Sequence, residues 1–71
     1  MVASYNKLWK LLIDKKMMKK ELCVLAGVSP SLIAKLGRNE NVTVEALLKI
    51  CAALDCTVDD ILDIIPDGQG L

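Results

Sequence analysis

The chain has 71 residues, 54% of them hydrophobic, with one Trp, one Tyr and no Phe. That length makes one domain with a modest core, and an aliphatic composition suits a small helical bundle rather than a β-sandwich rich in aromatic and β-branched residues. The nine basic and nine acidic residues cancel to a net charge of zero, which by itself argues against strong attraction to a polyanion.

Five helical segments and no strand are expected, an all-α fold with five helices. The first runs over residues 4–16, capped by Ser4, with Tyr5, Leu8, Trp9, Leu12 and Ile13 recurring at three- and four-residue spacing. Trp9 reads as core, and Met17 and Met18 as residues that seal the bundle. The second runs over residues 19–26, with Leu22, Cys23 and Ala26 as its buried set, and Gly27 stops it in the left-handed conformation of a helix end. The third starts after Ser29, which caps it, with Pro30 at the first helical position, and runs to about Leu36 or Gly37. Residues 37–42 are rich in turn formers and read as a loop. The fourth runs from Thr43 to about Leu54 with Val44, Leu47, Leu48, Ile50, Cys51 and Leu54 as its apolar face. The fifth begins at Thr57, turns Val58, Ile61, Leu62 and Ile65 inward, and ends at Pro66. Residues 1–66 therefore make the domain and residues 67–71 a flexible tail.

Gly27, Val28 and Ser29 alone separate the second and third helices. So short a connection, closed by a left-handed glycine, forces a sharp angle between the axes: a helix-turn-helix. Cys23 is small where the two helices must approach, Val28 plugs the core, and Ile33 and Leu36 face inward.

The charge is unevenly placed. Residues 1–38 carry eight basic side chains against Asp14 and Glu21, a surplus of six positive charges. Residues 39–71 carry Lys49 against seven acidic side chains, a surplus of six negative ones. An anionic partner should meet the first half, unless the two halves simply attract each other. Three cysteines without CxxC spacing and no His give neither a zinc set nor a nucleophile–base pair, and there is no glycine-rich phosphate loop. The expectation is no enzyme, no metal, no cofactor and no small-molecule ligand. The cysteines read as small apolar residues in a reducing compartment. The acidic cluster Asp59, Asp60 and Asp63 is not read as a metal site, since Asp59 and Asp60 are first-turn charges that suit a helix start. No apolar run approaches the roughly 20 residues that span a bilayer, and the first residues do not form a secretory leader. The expected location is cytoplasmic, with no membrane partner.

Lys20-Glu21-Leu22-Cys23, then Ala26-Gly27-Val28-Ser29, then Ile33 and Leu36, resemble the helix-turn-helix of the Cro/C1-type (XRE-like) regulators. The stretch from Asn41 to Cys56 resembles that family's fourth helix and following loop, and Val58-Asp59-Asp60-Ile61-Leu62 its short fifth helix. The resemblance covers roughly residues 5–65. Three departures stand out: Cys23 where relatives have alanine, Met18 where Thr or Ser commonly caps, and apolar Val24 and Leu25 where relatives often carry charge. The last pair is either buried or part of a contact with a second chain.

The resemblance implies a compact lambda-repressor-like domain whose third helix enters the major groove of double-stranded DNA. On that reading Pro30, Ser31, Ala34, Lys35 and Arg38 lie on the outward side. Ser29 and Ser31 donate to bases or phosphates, Lys35 reaches a guanine or a phosphate, and Leu32 touches a thymine methyl. Lys19 and Lys20 clamp phosphates at a helix N-terminus, and Arg38, Asn39 and Asn41 meet a flanking phosphate. Each has a plainer role: the lysines as a solvated face, Ser29 as a cap, Leu32 as core. The outward face lacks Gln, Asn and Arg at its centre, the types that make bidentate base contacts. Specificity per monomer should then be modest and a homodimer advantageous, with Ile64 the candidate contact. The expected function is a small bacterial or phage transcriptional regulator, a repressor. The competing expectation is a module of the same fold that binds a protein partner, antitoxin-like, with weak or no DNA binding.

Overall fold

The computed structural model describes residues 1–66, so the tail expected over residues 67–71 lies outside the described residues. Four α-helices follow a short strand: β1 (Val2–Ser4), α1 (Asn6–Asp14), α2 (Lys19–Ala26), α3 (Pro30–Gly37) and α4 (Val44–Leu54). A single 3-10 turn (Val58–Asp60) and a second strand, β2 (Asp63–Ile65), complete the order.

The helix-turn-helix forms as the sequence dictates. Gly27 sits at φ 68°, and the N–H groups of Gly27 and Val28 both donate to the Cys23 carbonyl, at 3.0 and 3.1 Å. Ser29 Oγ accepts the Leu32 N–H at 3.2 Å, and Pro30 takes the first helical position. Met18 supplies no side-chain cap to α2; instead the Glu21 carboxylate reaches back and accepts the Met18 N–H at 3.0 Å. That bond offsets part of the roughly 1 kcal/mol a missing Ser or Thr cap costs. Thr43 caps α4 by accepting the Ala46 N–H at 3.2 Å.

The core is aliphatic, with Leu8, Leu22, Leu36, Ile50 and Ile61 withdrawn from solvent. Tyr5 is its one buried aromatic. Its hydroxyl donates to the Glu40 carbonyl at 3.0 Å, and its N–H donates to Asn39 Oδ1 at 3.2 Å. Trp9 packs against the core's edge and is only half buried. Ile13, Val44 and Leu48, expected on apolar faces, are exposed. Each lies off the centre of its stripe: Ile13 follows buried Leu12, and Val44 and Leu48 flank buried Leu47, at about 100° per residue.

Two expectations are corrected at the chain ends. Residues 63–65 do not continue a fifth helix; only one 3-10 turn forms, held by Ile61 in the core. Ile65 precedes Pro66, whose ring disfavours the helical conformation of the residue before it, and Ile64 and Ile65 are β-branched. They pair antiparallel with β1, Val2 opposite Ile65, Ala3 opposite Ile64 and Ser4 opposite Asp63. Ser4 is accordingly a buried strand residue, and α1 starts at Asn6 with no side-chain cap. The fold is mostly helical with a two-stranded sheet, not all-α. No helix among the described residues is long and apolar enough to cross a membrane.

Candidate nucleic-acid interface

Helix α3 buries Ile33 and Leu36 and leaves Pro30, Ser31, Ala34 and Lys35 exposed. Ser31, Ala34, Lys35 and, at the helix exit, Arg38 recur at the three- and four-residue spacing of one helix face, the side away from the core. Ser29 is exposed and spends one oxygen lone pair on the cap, and its hydroxyl proton stays available for an outside acceptor. Leu32 is half buried against the core. It also borders an open hollow of about 270 Å³ between the Gly27–Ser29 turn and Thr43, Ala46 and Lys49.

Lys19 and Lys20 open α2, both exposed. Lys19 Nζ lies 4.5 Å from the centroid of the Trp9 ring, a cation–π contact that holds the ammonium near the surface at a cost in mobility but none in charge. Neither lysine, nor Lys35, forms an ion pair among the described residues. The first turn of α2 also leaves backbone N–H groups without helical partners. Cations and free donors thus coincide at that end, the combination that holds an anion.

Beyond α3 the picture is more mixed. Asn39 has φ 56°, and this left-handed residue folds the chain back so that Arg38 Nε donates to the Glu40 carboxylate. The Arg38 hydrogen bond holds the Glu40 carboxyl below its usual value, and Lys35 adds to the pull. Arg38 is therefore partly neutralised at home. Asn39 has committed its side-chain carbonyl to the Tyr5 N–H, so only its amide end is left for a phosphate. Asn41 is exposed. Sequence reasoning missed Glu40 as a partner because residues two apart do not face each other on a helix; the left-handed turn at Asn39 brings them together.

A family model for the Cro/C1-type HTH DNA-binding domain matches residues 7–67. The chain belongs to the Cro/C1-type DNA-binding family. Among solved structures, the transcriptional regulator VanUg superposes with a TM-score of 0.88 and 55% sequence identity, over 93% of this chain and 88% of that one. No curated protein matches. The matched span contains α2, the Gly27 turn and α3.

Proposed function

We propose that this Cro/C1-type domain is a sequence-specific regulator of transcription, acting as a repressor, that inserts α3 into the major groove of double-stranded DNA. The observation that carries the reading is the exposed stripe Ser31, Ala34, Lys35 on α3, set immediately after the Gly27 turn and near Lys19 and Lys20 of α2, which form no ion pair among the described residues. The lysines would bind phosphates and fix the register, Ser31 and Lys35 would read base edges, and Ser29, Pro30, Arg38, Asn39 and Asn41 would line the rim. The likeness to a transcriptional regulator of similar size supports the regulatory role. A domain seated on a promoter represses by excluding other proteins from it. Few long polar side chains reach the groove, so we further propose binding as a homodimer, with the exposed Ile64 on β2 as the contact.

Titrating duplex binding against salt tests this. Affinity should fall with a log–log slope of about −3 to −6 per monomer as several phosphate contacts are neutralised. Lys19→Ala should weaken binding to all sequences alike, whereas Ser31→Ala and Lys35→Ala should change sequence preference. A flat salt dependence would instead favour a protein-binding module. Uniform effects from all three substitutions would mean that α3 does not read bases.

A further inference from the structure

Helices α1 and α2 leave a ridge of large apolar side chains that no core requires. Ile13 is 73% exposed, Met18 70%, Val24 81% and Leu25 59%. Val24 lies two positions after the fully buried Leu22, on the far side of α2. Three shallow hollows of about 440, 540 and 580 Å³ run along this ridge. Lys20 borders all three, and Met18 and Val24 each border two, so they form one continuous surface. Contiguous apolar surface of this kind on a small domain marks a place where something binds.

Its charge narrows the occupant. Lys19 and Lys20 border the hollows, and Glu21 is the one acidic side chain that does. Glu21 already accepts the Met18 N–H. Lys19, Lys20 and Pro30 at one edge belong to the proposed DNA face, but Ile13, Met18, Val24 and Leu25 offer only methyl and thioether groups, a poor match for phosphates and sugars. A second copy seated ridge to ridge across a two-fold axis would bring like charges together around Lys20. An apolar stripe bordered by carboxylates satisfies both the hollows and the lysines.

We propose that the α1–α2 ridge docks an acidic amphipathic helix of a protein partner. The partner lays its apolar anchors into the hollows beside Met18 and Val24, and its carboxylates meet Lys19 and Lys20. On the DNA-binding reading, the partner and a duplex compete, because both use the same two lysines.

Trp9 makes the test direct. It is the only tryptophan, it borders one hollow, and Lys19 sits over its ring. The probe is a synthetic peptide with leucines at i, i+3, i+4 and i+7 and glutamates elsewhere. Titrating it should shift Trp9 emission saturably, with affinity falling as salt rises. A peptide with lysines replacing the glutamates should bind at least about tenfold more weakly. The double substitution Val24→Ser and Leu25→Ser, at exposed positions outside the core, should weaken binding by a similar factor. No saturable shift, equal binding of the lysine peptide, or an unchanged double variant overturns the proposal. So does sedimentation that reveals a dimer abolished by the double variant, since a second copy would then be the occupant. The Trp9 titration uses no DNA, so it decides the docking even if the chain binds no duplex.

Discussion

At the residue scale, two helix ends use the same device with different residues. At the end of α2, Gly27 takes the left-handed conformation; at the end of α4, Asp55 does so at φ 53°, and the Cys51 carbonyl accepts the N–H groups of both Asp55 and Cys56. Only glycine adopts that conformation without strain. A Cβ added at Gly27 meets nothing within 4 Å, so the effect of Gly27→Ala is purely conformational, a loss of about 1 kcal/mol. Asp55→Gly should gain a similar amount and also remove a negative charge from a helix C-terminus. Urea unfolding of the two variants checks both signs. Cys56 offers a second test. Burial, with the Cys51 thiol beside it, pushes its thiol from the usual 9.0 up to about 11. Because the folded value is the higher one, the fold gains from a protonated Cys56 at neutral pH. That gain declines as pH rises from about 9 through about 11. Alkylation of Cys56 by iodoacetamide at pH 8, followed by mass spectrometry, should be far slower in the folded chain than in urea. Equal rates would mean the thiol is not shielded.

At the element scale, α3 and the segment that leaves it carry the specificity question. Its outward stripe is short and plain, and the cation at its exit, Arg38, is held by Glu40. Glu40→Gln removes a negative charge from the proposed phosphate face and frees Arg38, while the backbone carbonyl that receives the Tyr5 hydroxyl is untouched. Duplex affinity should rise, and the salt slope should steepen by up to about one if Arg38 gains a phosphate. Fluorescence anisotropy on labelled duplex at several salt concentrations measures both. Unchanged affinity would place Arg38 and Glu40 away from the DNA. The helix-turn-helix itself is readable from residues 23–36, because the glycine, the serine cap and the proline act locally. The neutralising Glu40 was not, because its reach depends on the backbone turning at Asn39.

At the scale of the whole molecule, the charge asymmetry along the chain is resolved in two ways at once. Lys7 Nζ lies 3.1 Å from the Asp63 carboxylate and donates to the Asp59 carbonyl at 3.1 Å, so the two halves do attract where α1 meets the chain's end. Lys10 and Lys15 share a hollow with Asp14, Asp55 and Asp60, whereas Lys19 and Lys20 border one with Pro30 of α3 and no acidic residue, which leaves positive charge there for a polyanion. The sheet that β1 and β2 form is the other feature of this scale. It displays Val2, Ile64 and Ile65, in a ribbon too short to be stable alone. If Ile64 makes the homodimer contact, Ile64→Ser should weaken binding to a palindromic duplex while leaving binding to a single half-site unchanged. Equal losses on both duplexes would remove Ile64 from the dimer.

The sequence alone determined whatever acts over a few residues. Gly27 ends a helix, Ser29 and Thr43 start helices, Leu22, Ile33 and Leu36 turn inward, and the positive charge gathers in the first half. Tertiary structure decided what depends on distant partners. Residues 63–65 continue a helical pattern in the sequence, yet they form a strand, because β-branched Ile64 and Ile65 also suit one and residues 2–4, far away in sequence, supply its partner. Whether Ile13, Val24 and Leu48 are covered was likewise undetermined, because helical periodicity fixes where a side chain points but not whether another element lies there to receive it.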